Sequence, residues 1–144
     1  MTTVRQILDK KGPFVWSISP SAMVYDAIKL MADKNVGALI ILEGDLLKGI
    51  VSERDYARKV ILKGKSSKDT PVQAIMSLDV ITIRPEQSID ECMALMTEKR
   101  IRHLPVLDKQ KLLGMISIGD VVKAIISEQQ FTIKQLENYI TGTR

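Results

Sequence analysis

The chain has few of the residues that build metal centres, disulfides and aromatic surfaces. Among its 144 residues there are one cysteine, Cys92, and one histidine, His103. One cysteine cannot form an internal disulfide, and so small a set excludes zinc sites rich in cysteine or histidine. Aromatic residues make up 4% of the chain, so platforms for stacking nucleic-acid bases are scarce. We expect no metal site, and we expect Cys92 to be a small buried residue on a helix.

Long apolar runs and concentrated charge are also missing. No apolar stretch is long enough to span a bilayer, and no segment has the pattern of a signal peptide. The net charge is only +4, and the Lys and Arg residues are scattered rather than gathered along one helix. These features predict a cytoplasmic protein that contacts no membrane and for which nucleic acid is an unlikely partner.

The groups needed for catalysis are absent as well. The sequence offers no nucleophile with an adjacent base and no glycine-rich phosphate loop of the form G-x-x-x-x-G-K. We therefore expect a binding module rather than an enzyme, with no catalytic cofactor.

What the chain does contain is an internal repeat with a period of 65 residues. The run GIVSERD at Gly49–Asp55 returns as GMISIGD at Gly114–Asp120, and Pro20 returns as Pro85 without a gap. A repeat of this length indicates two copies of one supersecondary module that bury their apolar faces on each other.

Each copy is predicted to run helix, strand, helix, strand, strand, helix. Ser19-Pro20-Ser21 resembles a capped helix entry. The first copy comprises helix Thr2–Lys10, strand Phe14–Ser19, a helix from Ala22 to near Asn35, hairpin strands Ala38–Leu42 and Leu46–Ser52, and helix Glu53–Leu62. The second comprises helix Val72–Met76, strand Val80–Ile83, helix Ser88–Lys99, strands Leu104–Leu107 and Leu112–Ile116, and helix Asp120–Ser127.

These elements suggest domain boundaries. We assign residues 1–65 to repeat 1, residues 66–71 to a linker of surface composition, residues 72–128 to repeat 2, and residues 129–144 to a C-terminal helix or tail. The tail has apolar residues spaced near one helical turn, so we expect it to pack on the module or on a second copy of it.

The motifs identify the chain, by resemblance, as a tandem CBS-domain protein, the paired unit called a Bateman module. They are the two G-h-h-S-x-x-D runs, a strand ending in S/T-I-x-P twice (Ser17–Pro20 and Thr82–Pro85), and RIRHLPVLD at Arg100–Asp108. The chain looks like the small bacterial stand-alone pairs. This resemblance implies an α/β (α+β) fold of two repeats, each a small three-stranded sheet with helices on one face, related by a pseudo-twofold axis.

The resemblance also implies adenosine-containing ligands in clefts between the repeats. Asp55 and Asp120 are expected to hold the two ribose hydroxyls, because a carboxylate can accept from both. Phosphate and ribose would be bordered by further residues, several of them at helix starts where free N–H groups favour an anion. These residues are Ser52, Arg54, Arg58, Arg102, His103, Ser117 and Gly119.

The strand ends supply the remaining expected contacts. The main chains of Ile18 and Ile83 would read the adenine edge, and the full set at the strand ends is Ser17, Ile18, Pro20, Gly37, Ala38, Thr82, Ile83, Pro85, Leu104 and Pro105. Arg102 and His103 correspond to Gly37 and Ala38, which carry no charge. The two clefts should therefore differ in selectivity.

By resemblance, the function is that of a regulatory sensor which binds AMP, ADP, ATP or a dinucleotide such as NAD. We expect a homodimer that forms a disc of four repeats, and an unidentified regulated protein is a possible partner. Two alternatives stay open: a structural interaction module with vestigial clefts, and a module that binds RNA or DNA through basic residues such as Arg54, Arg58, Lys59, Lys63 and Lys65.

Overall fold

A computed structural model describes residues 1–12 and 15–142. The chain divides into two compact units. One is continuous and comprises Val15–Ile81, whereas the other is discontinuous and combines Met1–Phe14 with Thr82–Arg144. Each unit has its own sheet, and the leading segment of the chain belongs to the unit that holds the second repeat.

The continuous unit is built on a three-stranded sheet. Its strand order is β1-β2-β3, with β1 parallel and β3 antiparallel to β2. The central strand is buried at four successive positions, and because successive side chains point to opposite faces, both faces of the sheet are covered there. The elements are β1 (Ser17–Ile18), α2 (Val24–Lys34), β2 (Ala38–Glu43), β3 (Leu46–Ser52), α3 (Glu53–Tyr56), a π-helix (Ala57–Ile61) and a 3₁₀ helix (Val72–Ala74).

The discontinuous unit repeats the hairpin with a smaller sheet. Strands β4 and β5 pair antiparallel in the same register as β2 and β3, and Ile83 adds a single parallel bridge to Val106. The predicted strand Val80–Ile83 is therefore reduced to one paired residue. The elements are α1 (Val4–Lys11), α4 (Ile89–Lys99), β4 (His103–Asp108), β5 (Lys111–Ser117) and α5 (Ile118–Thr141).

Side chains cap most of the helix starts. Reciprocal capping boxes begin α1, α3, α4 and α5, with Thr3, Ser52, Ser88 and Ser117 as their first members. The cap predicted at Ser19-Pro20-Ser21 is wrong. α2 begins later, at Val24, after Met23, and has no side-chain cap. The hydroxyls of Ser19 and Ser21 lie 3.0 Å apart and bond to each other instead.

Several predicted boundaries also shift. The strand predicted at Phe14–Ser19 is limited to Ser17–Ile18, and Phe14 lies outside the described residues. The helix predicted at Glu53–Leu62 makes one α-helical turn and continues as the π-helix, where the N–H of Leu62 donates to the oxygen of Ala57. α5 runs for 24 residues and includes most of the predicted tail without a break. Cys92 is fully buried on α4, as predicted.

The leading segment of each repeat docks on the opposite repeat's strand–proline motif. The N–H groups of Val4 and Arg5 donate to the oxygens of Gln87 and Pro85, both at 2.9 Å. In the continuous unit the N–H groups of Val72 and Gln73 donate to the oxygens of Ala22 (2.8 Å) and Pro20 (3.0 Å). Val4 and Val72 are fully buried, so each repeat's core is completed by a segment that precedes the other repeat.

Candidate functional site

The start of α5 presents the carboxylate of Asp120 beside the end of β5. Asp120 Oδ2 accepts from the main-chain N–H of Ser117 at 2.9 Å, and the N–H of Asp120 donates to Ser117 Oγ at 3.2 Å. These bonds fix the carboxylate at the third helical position. Its side chain is 22% exposed, so it is held in place but accessible.

A lysine from the other end of the chain meets this carboxylate. Lys11 Nζ donates to Asp120 Oδ2 at 2.7 Å and to the oxygen of Met115 at 2.9 Å. Burial alone would raise the pKa of Asp120, but the hydrogen bond and charge of Lys11 and the bonds from Ser117 outweigh it and lower that pKa. Asp120 is thus a fixed anion at neutral pH.

The cations predicted before β4 lie next to this carboxylate. His103 is the register partner of Ser117, and the oxygen of Arg102 accepts from the N–H of Ile118 at 2.8 Å. Arg102 is exposed and His103 is half-buried. Burial, together with the positive charges of Lys11 and Arg102, lowers the pKa of His103 despite the opposing effect of Asp120. The imidazole is therefore neutral at pH 7 and can either donate or accept a hydrogen bond.

The corresponding helix start in the continuous unit has a different pattern of ion pairing. Asp55 Oδ2 accepts from the main-chain N–H of Ser52 at 2.9 Å and from its hydroxyl at 3.1 Å. Asp55 Oδ1 lies 3.2 Å from Lys59 Nζ, which also donates to the oxygen of Ile75 at 2.9 Å. Both oxygens of Asp55 are therefore engaged.

No charge accompanies Asp55 from the β2 side. Ala38 is the register partner of Ser52, and the oxygen of Gly37 accepts from the N–H of Glu53 at 3.1 Å. The backbone thus repeats the arrangement around Asp120, while Gly37 and Ala38 replace Arg102 and His103. The nearby cations Arg54 and Arg58 are exposed on α3 and the π-helix.

Comparison with known proteins agrees with this doubled geometry. A family model described as the CBS domain matches residues 4–62 and 72–127. The chain belongs to the CBS-domain family. It is 42% identical over 151 residues to the mitochondrial CBS domain-containing protein CBSX3 of Arabidopsis thaliana, and the match covers 98% of this chain and 73% of that protein.

Solved structures of CBS proteins share the fold. A protein with CBS domains from Burkholderia ambifaria is 58% identical with a TM-score of 0.86, and the match covers 92% of this chain and 99% of that one. A hexameric CBS-CP12 protein from bloom-forming cyanobacteria is 34% identical with a TM-score of 0.75, and the match covers 85% of this chain and 70% of that one. The predictions of a tandem CBS pair and of a mixed α/β fold are thereby confirmed.

The strand–proline residues of each CBS repeat lie further along the sheet from the helix start. Ser17 and Ile18 pair with Ile40 and Ile41, two to three residues beyond Ala38. Ser17 and Thr82 are exposed, whereas Pro20 and Pro85 are buried and their oxygens accept from the docked leading segments.

In the second CBS repeat, the main-chain groups of Ile83 that were predicted to contact adenine already form hydrogen bonds within the sheet. The N–H of Ile83 donates to the oxygen of Pro105 at 3.0 Å, and its oxygen accepts from the N–H of Leu107 at 2.9 Å. Leu104 and Pro105 are buried in β4, while Gly119 is exposed in the first turn of α5. Ligand contact by these residues stays a prediction.

Sequence reasoning missed the lysines that pair with both carboxylates. Lys59 was considered only as a nucleic-acid contact, although its position four residues after Asp55 on a helix was a usable signal. Lys11 offered no such signal, because it meets Asp120 only after α1 docks on the second CBS repeat. Lys11 and Asp120 also line a cavity of about 730 Å³ together with Thr2, Gln6, Ile7, Asp9, Lys10, Lys123, Ala124 and Ser127.

Proposed function

We propose that this CBS pair is a regulatory module that binds adenine nucleotides through the carboxylates at the starts of α3 and α5. The observation that carries the proposal is the way the two carboxylate oxygens of Asp120 are hydrogen-bonded. Both of its bonds from Ser117 and Lys11 fall on Oδ2. Among the described residues none donates to Oδ1, which has the capacity to accept from two vicinal hydroxyls. A ribose would match this acceptor.

The two carboxylates are proposed to bind with unequal strength. Asp55 has both oxygens engaged, so a sugar must displace Lys59 to gain a full acceptor there. Arg102 and His103 stand beside Asp120, whereas Gly37 and Ala38 occupy the same positions beside Asp55. Arg102 supplies positive charge and the neutral His103 a hydrogen bond, so the anionic tail of a nucleotide would bind more strongly at the Asp120 site.

The role proposed for ligand binding is sensing rather than catalysis. Occupancy would shift the geometry of the module only as far as the ligand prefers one state over another. We propose a homodimer arranged as a disc of four repeats, in the cytoplasm, with an unidentified regulated protein as the receiver. A hexameric relative supports self-association as a property of such chains. Over residues 1–12 and 15–142, no helix combines the length and apolarity that a membrane span requires.

Calorimetric titration with AMP, ADP, ATP and NAD tests the proposal. We expect two unequal binding events in the parent chain. Asp120→Asn keeps the size of the side chain and an oxygen for the Ser117 N–H, but removes the charge, and it should weaken the tighter event at least about tenfold. Asp55→Asn is the matched variant and should weaken only the other event.

Four outcomes would contradict the proposal. Two identical sites would remove the inequality, and an unchanged titration for both variants would move the ribose contact elsewhere. No thermal stabilisation by any of the four ligands at millimolar concentration would favour a structural interaction module, because a ligand selective for the folded state must raise its stability. RNA retention that is steeply salt-dependent and unaffected by AMP would support the nucleic-acid alternative.

A further inference from the structure

The C-terminal half of α5 is a helix without tertiary support in the described part of the chain. Every residue from 129 to 142 is exposed except Asn138, which is half-buried. Nevertheless this half carries large apolar side chains, and five residues are at least 55% exposed: Phe131, Ile133, Leu136, Tyr139 and Ile140. Helix propensity alone gives such a segment little stability, and the exposed apolar side chains are what a covering partner would bury.

Three of these residues, Ile133, Leu136 and Ile140, belong to a heptad seam that starts earlier on α5. Ile126, Ile133 and Ile140 recur every seven residues, and Val122, Gln129 and Leu136 recur with the same period, three or four residues away. All six are exposed. Two interleaved seven-residue series of this kind are the a and d positions of a coiled coil.

We propose that this seam, residues 122–140 of α5, pairs with the same seam of a second copy of the chain as a parallel two-stranded coiled coil. β-Branched isoleucine at each a position, with valine and leucine at d positions, favours two parallel strands. A membrane surface is a poorer occupant, because residues 129–142 contain only one basic residue, Lys134, and one acidic residue, Glu137.

Gln129 sets the orientation of the pair. In a parallel coil the amide of Gln129 lies against Gln129 of the second copy, where donor and acceptor satisfy each other. In an antiparallel coil each Gln129 would face Ile133, and Lys123 would instead approach Glu137 of the second copy. An unsatisfied buried amide costs more than an exposed ion pair contributes, so the parallel arrangement is favoured.

Disulfide cross-linking of the full chain tests both the seam and its direction. Ile140→Cys places a thiol at an a position near the C-terminal end of the seam. Only a parallel arrangement brings this thiol close to the same thiol of the second copy. Gln135→Cys is the matched control at an outward c position. Under mild oxidation we expect Ile140→Cys to give covalent dimer at least about tenfold faster than the control. The parent chain, whose Cys92 is buried, serves as the blank.

The readout is specific to the seam, because a dimer formed only through other surfaces would not bring the two introduced thiols together. Equal rates for the two variants would overturn the proposal. So would a double variant Val122→Cys, Ile140→Cys that links position 122 only to position 140 of the second copy, since that pattern requires antiparallel chains. Far-UV circular dichroism of Ile140→Cys and Gln135→Cys checks that both variants are folded like the parent chain.

Discussion

Lys11 Nζ and Asp120 Oδ2 lie 2.7 Å apart, although 109 residues separate them in the sequence. The contact joins the end of α1 to the start of α5, and Lys11 also donates to the oxygen of Met115. One lysine therefore holds the leading helix against the carboxylate that we propose as a ribose acceptor.

Replacing Lys11 by methionine should destabilise the chain by about 1 kcal/mol or less at pH 7, because the pair is partly exposed. The pKa of Asp120 is lowered in the folded chain, so its contribution is present above the ordinary value of 3.8 and is lost as the pH falls through the folded pKa. Urea denaturation of the parent chain and of Lys11→Met at several pH values measures this difference in unfolding free energy.

The Lys11→Met deficit should therefore shrink as the pH falls below 3.8 and disappear below the lowered pKa of Asp120 in the folded parent, where the carboxyl is protonated in both chains. Lys10→Met, at the exposed neighbour on α1, is the control and should change little. A deficit that persists undiminished in acid would mean that Lys11 acts through its hydrocarbon stem rather than its charge.

His103 gives a second pH-dependent signal. Its pKa is lowered from 6.5 by burial and by the charges of Lys11 and Arg102. Below pH 6.5 the unfolded chain therefore binds the proton more readily than the folded one, so stability falls with decreasing pH through the folded pKa. Because the chain has one histidine, its imidazole resonance in NMR is assigned without mutants.

Nucleotide phosphate placed beside His103 should raise this pKa, because an anion favours the imidazolium. Titrations by NMR with and without ATP would show it, and Lys11→Met should raise the pKa of the unliganded chain. An imidazole that titrates identically with and without saturating ATP would remove His103 from the phosphate contacts.

The equivalent glycines Gly49 and Gly114 should tolerate alanine differently. A Cβ at Gly49 would lie 2.7 Å from the main-chain oxygen of Ser77, whereas one at Gly114 would lie 2.7 Å from Leu8 Cδ2. Backbone cannot give way as a leucine rotamer can. We expect Gly49→Ala to cost about 2–3 kcal/mol of unfolding free energy and Gly114→Ala less than about 1 kcal/mol. Chemical denaturation of both variants measures the two losses of unfolding free energy. Equal losses would contradict the difference inferred from these contacts.

Cys92 should be nearly inert in the folded chain. Burial raises the pKa of its thiol from 9.0 to about 11, which alone reduces the thiolate about 100-fold. Reaction with a chromogenic disulfide reagent at pH 8 should accordingly be at least about 100-fold slower in buffer than in denaturant. A rapid reaction without denaturant would show that α4 opens far more often than its packing implies.

The sequence predicted what local pattern and repetition determine. The hairpins, the start of α3 at Glu53 and the end of α2 near Asn35 all follow from nearby residues. Tertiary contacts determined the rest. The Ser19-Pro20-Ser21 segment does not cap α2; instead the oxygens of Pro20 and Ala22 accept hydrogen bonds from Gln73 and Val72, and no local signal marks the π-helix.

The paired lysines show the same limit at the candidate site. Asp55 and Asp120 are equivalent in sequence, but one is paired within its own helix by Lys59 and the other across the chain by Lys11. The repeat predicts two matching carboxylates, and Arg102 and His103 already distinguish their surroundings in the sequence. The pairing of Asp120 with Lys11 is added only by the docked position of α1.

The discontinuity of the unit that carries α1 has a consequence for biosynthesis. Val15–Ile81 leaves the ribosome as one continuous segment and can fold early. The first turn of α1 donates hydrogen bonds to the oxygens of Pro85 and Gln87, so α1 cannot dock until these residues have been translated. In stalled nascent chains, Val15–Ile81 should therefore become protected from protease first. α1 should become protected only after the hairpin of β4 and β5 has left the ribosome. Although α1 is translated before Val15–Ile81, it would become native later, and for that interval Val4 and Ile7 would need shielding from other chains.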